Sequence, residues 1–325
     1  MTLATTLEWV EAFTPARSVQ VEDAAASLGL TRYQARMFRR FHGMGALRID
    51  PAIDLFDLIL GSARSLLARL ADPGVIKYLL FAHTVIEVTP AHLDASRVFA
   101  QRLGLAGVNA FALTQQNCAS GLAAIDIAGE LLRADGDPQA RALVLTGEKP
   151  FTPLAQLIAN TTVMGEASSA CLVALSGPGE RVCSYTAVTE GRYSDGPRLC
   201  PEELKRFNDT YTASLTDVIV DAVARAGLEM SDITMIIPHN VNRLLWLRTI
   251  DQLGVGRDRI YLDNIPCYSH CYCTDPFLNL VALRDAGQLS EGAYYLLTSV
   301  GLGATYAAMV IEHRQDDPHH ADGIR

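Results

Sequence analysis

The sequence predicts an α/β fold built from two copies of one unit. Helical and strand patterns alternate along the chain, and three short segments recur in the same order in both halves. The length of 325 residues agrees with about two domains or two fused halves. The composition is 49% hydrophobic and 19% charged, so apolar side chains remain for a large core or an oligomer interface.

The first half, which we assign to residues 1–176, alternates amphipathic helices with buried strands. Residues 53–70 space their apolar side chains as one face of a helix, and residues 76–82 form the continuous apolar run of a buried strand. The same patterns predict two further helices, over 93–103 and 119–133, and two further strands, over 107–113 and 142–147.

The second half, assigned to residues 177–312, repeats this alternation. Helices are predicted over 211–226, 242–253 and 276–286, and strands over 233–237, 259–263, 293–299 and 306–312. Residues 313–325 are polar without a period, which predicts a disordered tail.

Three pairs of segments support the duplication. The paired segments are 79–85 with 235–241, 132–136 with 283–287, and 165–175 with 301–311. When the two halves are aligned on the second pair of segments, Cys118 aligns with Ser269 and His270. The duplication therefore predicts that Cys118 and His270 lie at equivalent strand-to-helix turns and face each other across a pseudo-twofold axis.

Charge and hydropathy exclude several classes of protein. The net charge of -9 disfavours nucleic acid and acidic lipid, because both require clustered Lys and Arg. No stretch approaches the roughly 18 apolar residues of a membrane span. The N-terminal residues lack the basic and apolar regions of a secretory signal, so we expect a cytoplasmic protein. Seven cysteines in that compartment indicate free thiols, ligands or a nucleophile rather than a disulfide framework.

Cys118 has the surroundings of a nucleophile. It follows an apolar strand and begins a helix of small residues, over 119–133. The N–H groups and positive dipole end of a helix stabilise a thiolate. The backbone N–H of the same residue can face a developing oxyanion. The alternative on these residues alone is a buried structural cysteine.

Four segments together resemble β-ketoacyl-acyl-carrier-protein synthase III, a family of the thiolase superfamily. The resemblance extends from about residue 39 to residue 312. It implies a thiolase-like five-layer α-β-α-β-α sandwich of two duplicated halves and a homodimer. The segments are Cys118 with its small-residue helix, the GEASSA turn at 165–170, the PHNVN motif at 238–242 and the GLGAT turn at 301–305.

The resemblance implies ping-pong acyl transfer, with no cofactor beyond the thioester substrate. Cys118 would take an acyl group from acyl-coenzyme A or an acyl carrier protein and pass it to a second substrate. The N–H groups of Cys118 and Gly303 would form the oxyanion hole. His239 would donate to the thioester carbonyl or serve as base, and Asn242 of the same motif is a candidate supporting residue.

Three arginines are weaker candidates on the same resemblance. Arg243, Arg39 and Arg40 would contact the coenzyme A phosphates or the carrier protein. Solvated surface arginines are the alternative.

The sequence departs from the family pattern at the third catalytic residue, where His270 occupies the position of an asparagine. If His270 still donates to a malonyl thioester, decarboxylative condensation survives, in fatty-acid, polyketide or other specialised metabolism, and this is the preferred prediction. Alternatively, His270 deprotonates an alcohol or amine acceptor and Asp275 orients it, which gives an acyltransferase. A non-catalytic partner subunit is a third hypothesis. A metal site at Cys267, His270, Cys271 and Cys273 is disfavoured, because their ligand spacing is too short.

Overall fold

The structure is a computed structural model that describes residues 3–105 and 107–314. Its first half contains nine strands and five helices. The strands are β1 (Thr5–Phe13), β2 (Ser18–Gln20), β3 (Ala46–Arg48), β4 (Ile76–Ala82), β5 (Asn109–Leu113), β6 (Arg141–Gly147), β7 (Leu157–Ile158), β8 (Thr162–Val163) and β9 (Ser168–Leu175). The helices are α1 (Arg32–Met37), α2 (Leu55–Leu67), α3 (Ala95–Arg102), α4 (Ser120–Asp135) and α5 (Pro153–Gln156).

The second half contains four strands and four helices among the described residues. The strands are β10 (Gly179–Thr189), β11 (Ile233–Pro238), β12 (Tyr294–Gly301) and β13 (Thr305–Arg314). The helices are α6 (Pro201–Arg225), α7 (Arg243–Leu253), α8 (Ile265–Tyr268) and α9 (Asp275–Asp285).

The two halves repeat one strand order. In the first half the order is β5-β4-β6-β9-β1, and in the second it is β11-β12-β13-β10 with Ile260 bridged to β11 where the first half has β5. In both halves, the first two strand pairings in this order are parallel and the last two are antiparallel. β1 and β10 pair with each other and join the halves into one nine-stranded sheet.

Apolar side chains divide these elements into five layers. One core cluster packs α2 and α3 against the first half of the sheet, and another packs α6 and α7 against the second half. The third and largest cluster lies between them and contains α4 and α9 together with the inner faces of both halves. This arrangement agrees with the predicted thiolase-like α-β-α-β-α sandwich.

Glycine lets the two central helices approach each other. A Cβ atom at Gly121 of α4 would lie 2.9 Å from the carbonyl oxygen of Cys273, immediately before α9. A larger side chain would therefore separate the two helix starts. Cys118 precedes one of these helices and His270 precedes the other, so this packing brings the two residues to the same point in the molecule.

Several predicted elements differ from the structure. α6 begins at Pro201, ten residues before the predicted start, because its exposed first turns carry little apolar signal despite Pro201 and two acidic residues. The strand predicted over 259–263 is reduced to the single bridge at Ile260. β1 and β10 were not predicted, although both are long.

The predicted tail and domain division have different outcomes. β13 continues through His313 and Arg314, so the prediction that these two residues are disordered is wrong: β10 pairs with them. Residues 315–325 lie outside the described part of the chain. The predicted division after residue 176 falls between β9 and β10 and stays a prediction. Among the described helices, none has the length and apolar character needed to cross a bilayer.

Candidate active site

Cys118 lies in a tight turn and lines a cavity of about 570 Å³. The turn spans Asn117–Ala119 and leads directly into α4. Asn117 has a φ of 50°, a left-handed conformation that asparagine tolerates better than most residues. The Ser299 hydroxyl donates to the carbonyl oxygen of Cys118 at 2.8 Å, which ties the turn to β12. The side chain is therefore buried, yet it faces the cavity.

His270 connects the thiol to a buried carboxylate. The Sγ atom of Cys118 lies 3.4 Å from His270 Nε2, and the other ring nitrogen of His270 hydrogen-bonds the carboxylate of Asp275. Asp275 is fully buried and also accepts hydrogen bonds from the backbone N–H groups of Asn240, at 2.6 Å, and Cys271, at 2.7 Å. Thiol, imidazole and carboxylate thus form a relay with the same connectivity as those that catalyse acyl transfer on several unrelated folds.

The GEASSA segment fixes the backbone of His270. The N–H of His270 donates to the carbonyl of Val163 at 3.2 Å, and the N–H of Gly165 donates to the carbonyl of His270 at 2.9 Å. A Cβ atom at Gly165 would lie 2.5 Å from the carbonyl oxygen of Tyr268, so the close approach requires glycine. The glycine of this motif therefore allows the segment that carries His270 to pack closely against it.

The charges around His270 favour its protonated form. Burial by itself lowers the pKa of His270, but the carboxylate of Asp275 and the nearby Cys118 sulfur outweigh it and raise that pKa to about 10. An imidazolium at neutral pH stabilises a thiolate 3.4 Å away. His270 is therefore placed to act as a cationic hydrogen-bond donor to the sulfur of Cys118.

His239 has the opposite electrostatic surroundings. Burial lowers its pKa, and the charge on His270 lowers it further, so His239 is neutral at physiological pH. Its backbone is held by Trp246, whose indole N–H donates to the carbonyl of His239 at 2.7 Å. Its Nε2 atom lies 3.4 Å from the hydroxyl of Tyr211, and its ring centroid lies 5.7 Å from that of His270. Both imidazoles line the same cavity.

The glycine turn at 301–305 packs against the turn that carries Cys118. A Cβ atom at Gly301 would lie 2.0 Å from the carbonyl oxygen of Gln116, and one at Gly303 would lie 3.3 Å from the side-chain nitrogen of Asn117. That same amide of Asn117 donates to the carbonyl of Leu302. Gly303 is thus adjacent to the nucleophile turn, and its role in an oxyanion hole stays a prediction.

The remaining predicted residues fall into two groups. Asn242 lines the cavity and accepts a hydrogen bond from the N–H of Leu245, which caps α7. The predicted phosphate-binding arginines do not line the cavity: Arg243 donates to the carbonyl of Arg40, and Arg39 pairs with Glu22 on the surface. Among the described residues, the arginine that does line it is Arg248, five residues further along α7.

Sequence reasoning missed three residues around Cys118 and His239. Thr84 approaches Cys118, Tyr211 approaches His239, and Glu148 is buried behind Thr84. Thr84 and Glu148 each follow the end of a parallel strand, a position where functional residues of α/β proteins collect. Tyr211 had no signal, because it lies within an ordinary helical pattern.

All seven cysteines are free. Cys267 is exposed, Cys271 points to the carbonyl of Tyr268, and Cys273 points to the carbonyl of Asn117. Within residues 3–105 and 107–314, no three His, Cys, Asp or Glu side chains are placed together to hold a metal ion.

Comparison with known proteins places this geometry in a family context. The family profile described as "3-Oxoacyl-[acyl-carrier-protein (ACP)] synthase III C terminal" matches residues 223–313. The β-ketoacyl-[acyl-carrier-protein] synthase III of Rhodospirillum rubrum is 25% identical over 280 residues, which are 78% of this chain and 83% of that protein.

Solved structures agree over nearly the whole length. ChlB3, described as an acyltransferase, superposes with a TM-score of 0.84 at 19% identity, covering 97% of this chain and 99% of its own. The priming β-ketosynthase of the R1128 polyketide pathway superposes with a TM-score of 0.80 at 20% identity, covering 97% of both chains. The chain is a synthase III-like enzyme. This synthase III-like chain shares its fold with a condensing enzyme and with an acyltransferase, so the choice between the two reactions depends on its own site.

Proposed function

We propose that this synthase III-like chain transfers an acyl group from a thioester donor, through Cys118, to a hydroxyl or amine acceptor. The observation that carries the proposal is the relay from Cys118 through His270 to the buried carboxylate of Asp275. A carboxylate that orients an imidazole makes it a general base for an acceptor that must lose a proton.

The first half-reaction uses an ion pair between the Cys118 thiolate and the His270 imidazolium. The Cys118 thiolate attacks the donor carbonyl, the new S–C bond forms, and the bond to the donor sulfur breaks. The leaving thiolate of coenzyme A or a carrier phosphopantetheine takes the proton from His270. Backbone N–H groups of Cys118 and Gly303 would stabilise the oxyanion.

The second half-reaction uses His270 as a base. Acylation removes the negative charge on Cys118, one of the charges that raise the pKa of His270, while Asp275 remains. His270 then takes the proton of the acceptor as its oxygen or nitrogen bonds to the acyl carbon and Cys118 leaves as thiolate. The starting ion pair is restored.

Decarboxylative condensation with a malonyl thioester is the second candidate. The names of the curated relatives favour it, and so does the presence of two imidazoles on one cavity. Condensation generates its nucleophile by loss of carbon dioxide, so it needs hydrogen-bond donors to a carbonyl and no general base. The buried carboxylate of Asp275 makes His270 a stronger base, which condensation does not need. We therefore prefer acyl transfer over condensation.

The test begins with the acyl-enzyme. Incubation with acyl-coenzyme A or an acyl carrier protein should add one acyl mass to the protein, and Cys118→Ala should abolish the adduct. The isolated acyl-enzyme is then offered an alcohol, an amine or a malonyl thioester. Discharge by the alcohol or amine without carbon dioxide supports the proposal. Discharge by the malonyl thioester alone, with stoichiometric carbon dioxide, would replace it with condensation.

We further propose a homodimer that accepts acyl-coenzyme A or an acyl carrier protein in fatty-acid, polyketide or other specialised metabolism. The family resemblance supports the dimer. Sedimentation equilibrium should give about twice the chain mass. A monomer at micromolar concentration would contradict the assembly while leaving the chemistry intact.

A further inference from the structure

Thr84 lies directly against the reactive sulfur. Its hydroxyl donates to Cys118 Sγ at 3.5 Å and lies 3.4 Å from the sulfur of Cys273. The relay contacts the same sulfur through His270 Nε2, so the contact from the Thr84 hydroxyl is not part of the relay. Two polar groups therefore converge on Cys118, and only one of them belongs to the relay.

The second sulfur limits what the hydroxyl can do. Cys273 has one thiol proton and directs it to the carbonyl of Asn117 at 3.2 Å, so towards Thr84 its sulfur can only accept. Thr84 also has one hydroxyl proton. Of the two sulfurs, the one that carries negative charge receives that proton preferentially, because hydrogen bonds to ionised acceptors are about twice as strong as neutral ones. The carboxyl group of Glu148 is a third acceptor within reach of the hydroxyl.

Glu148 fixes the position of Thr84. The carboxyl group is 1% exposed, and its two oxygens accept the backbone N–H groups of Thr84, at 2.6 Å, and Val85, at 2.7 Å. Thr114 adds a third contact by donating its hydroxyl to the carbonyl of Thr84 at 3.3 Å. The backbone of Thr84 is thus held on both sides, which keeps its hydroxyl within reach of Cys118.

We propose that Thr84 is a catalytic residue that stabilises the Cys118 thiolate by hydrogen bonding, and that Glu148 is its positioning residue. The proposal rests on Cys118 being the nucleophile. In the free enzyme Thr84 donates to the thiolate. In the acyl-enzyme the thioester sulfur is a poor acceptor, so the hydroxyl proton turns to Cys273. The hydroxyl proton turns back to Cys118 when Cys118 leaves as thiolate in the second half-reaction. The hydrogen bond therefore stabilises the thiolate in both half-reactions.

The test measures the reactivity of Cys118 towards iodoacetamide as a function of pH, a readout that needs no acyl donor or acceptor. Thr84→Val keeps the shape of the side chain and removes the hydroxyl. Its alkylation rate at neutral pH should fall roughly 10- to 100-fold, with the midpoint of the profile moving up by about one pH unit or more. Thr84→Ser should recover most of the loss. Thr89→Val, the same change at a hydroxyl that contacts only the carbonyl of Leu93, is the matched control and should behave like the unmodified enzyme.

Glu148 is tested in the same assay by a double-mutant cycle. Glu148→Gln should raise the midpoint in the presence of Thr84 and have little further effect in the Thr84→Val background. An unchanged midpoint in folded Thr84→Val, checked by circular dichroism, would overturn the role of Thr84. Equal effects of Glu148→Gln in both backgrounds would overturn the role of Glu148 as its positioning residue. A normal alkylation profile without any acyl adduct would contradict the proposed function and leave the thiolate contact standing.

Discussion

At the scale of single residues, the chemistry depends on which partner each imidazole has. His270 is bound to a carboxylate and a thiol, and its pKa rises to about 10, whereas the pKa of His239 is lowered by burial and by the charge on His270. At neutral pH, His270 is therefore positively charged and His239 is neutral, although both line one cavity. In the proposed reaction, His270 serves as the acid–base group and His239 as a neutral hydrogen-bonding group.

Asp275→Asn should separate the relay from the other features of the site. An amide keeps the size of the side chain but removes the charge that raises the pKa of His270, so the second half-reaction should slow roughly 10²- to 10⁴-fold. Rapid-quench measurement of acyl-enzyme discharge gives the rate. Asp263→Asn, at an exposed carboxylate, is the control. Discharge at the original rate in Asp275→Asn would show that no general base acts there.

Tyr211→Phe should change the balance between the two candidate reactions. The tyrosine hydroxyl now contacts His239 Nε2, and its removal leaves that nitrogen free to donate to a malonyl carbonyl. We expect carbon dioxide release from a malonyl thioester to rise severalfold relative to transfer to an alcohol. Tyr193→Phe, in the same aromatic cluster, should leave the ratio unchanged. A ratio unaltered in Tyr211→Phe would remove this residue from the account of specificity.

At the scale of elements, the glycine turn before β13 determines where the nucleophile turn lies. Gly301→Ala places a Cβ atom 2.0 Å from the carbonyl oxygen of Gln116, and the backbone around it must shift. We expect a loss of about 1–3 kcal/mol in the free energy of unfolding, with slower acylation of Cys118. Urea unfolding and adduct formation measure the two effects. Gly191→Ala, where a Cβ atom meets open space, is the control, and equal losses in both variants would contradict the packing argument.

Predicted elements were accurate where a strand is buried on both faces. β4 has the predicted bounds, and β6 and β11 differ from prediction by one residue at one end. β1 and β10 escaped detection because polar side chains interrupt the apolar run of each strand and most of their positions are not fully buried. Their pairing joins the two halves, so the missed strands are those that depend most on tertiary contacts.

At the scale of the whole molecule, buried titratable groups couple the site to stability. Burial raises the pKa of Glu148 to about 7, although the N–H groups of Val85 and Thr84, the hydroxyl of Thr84 and the charge on His270 oppose this. Tyr272 and Cys273 face the same carboxyl. The folded state therefore binds a proton that the unfolded chain has lost. Stability from this group falls as pH rises from about 4.5 to about 7.

The matching experiment compares unfolding free energies across pH. The difference between the unmodified enzyme and Glu148→Gln should change by about 3 kcal/mol between pH 4.5 and 7, because the glutamine does not titrate. His270 adds a separate decline between about 6.5 and 10, common to both proteins, since its folded pKa is raised. Glu203→Gln, on the exposed start of α6, is the control. A difference that does not vary with pH would contradict a neutral buried Glu148.

The sequence by itself determined the alternation of helices and strands and the duplication, and it predicted Cys118 as the nucleophile and position 270 as a catalytic position. These follow from local periodicity and from motifs that are contiguous in the chain. Tertiary structure decided that Asp275 hydrogen-bonds the imidazole, that Thr84 and Tyr211 reach the two reacting groups, and that Arg248 rather than Arg243 lines the cavity. The reason is physical: hydrogen bonds at a site depend on side-chain direction and on contacts between residues far apart in sequence, which no local pattern encodes.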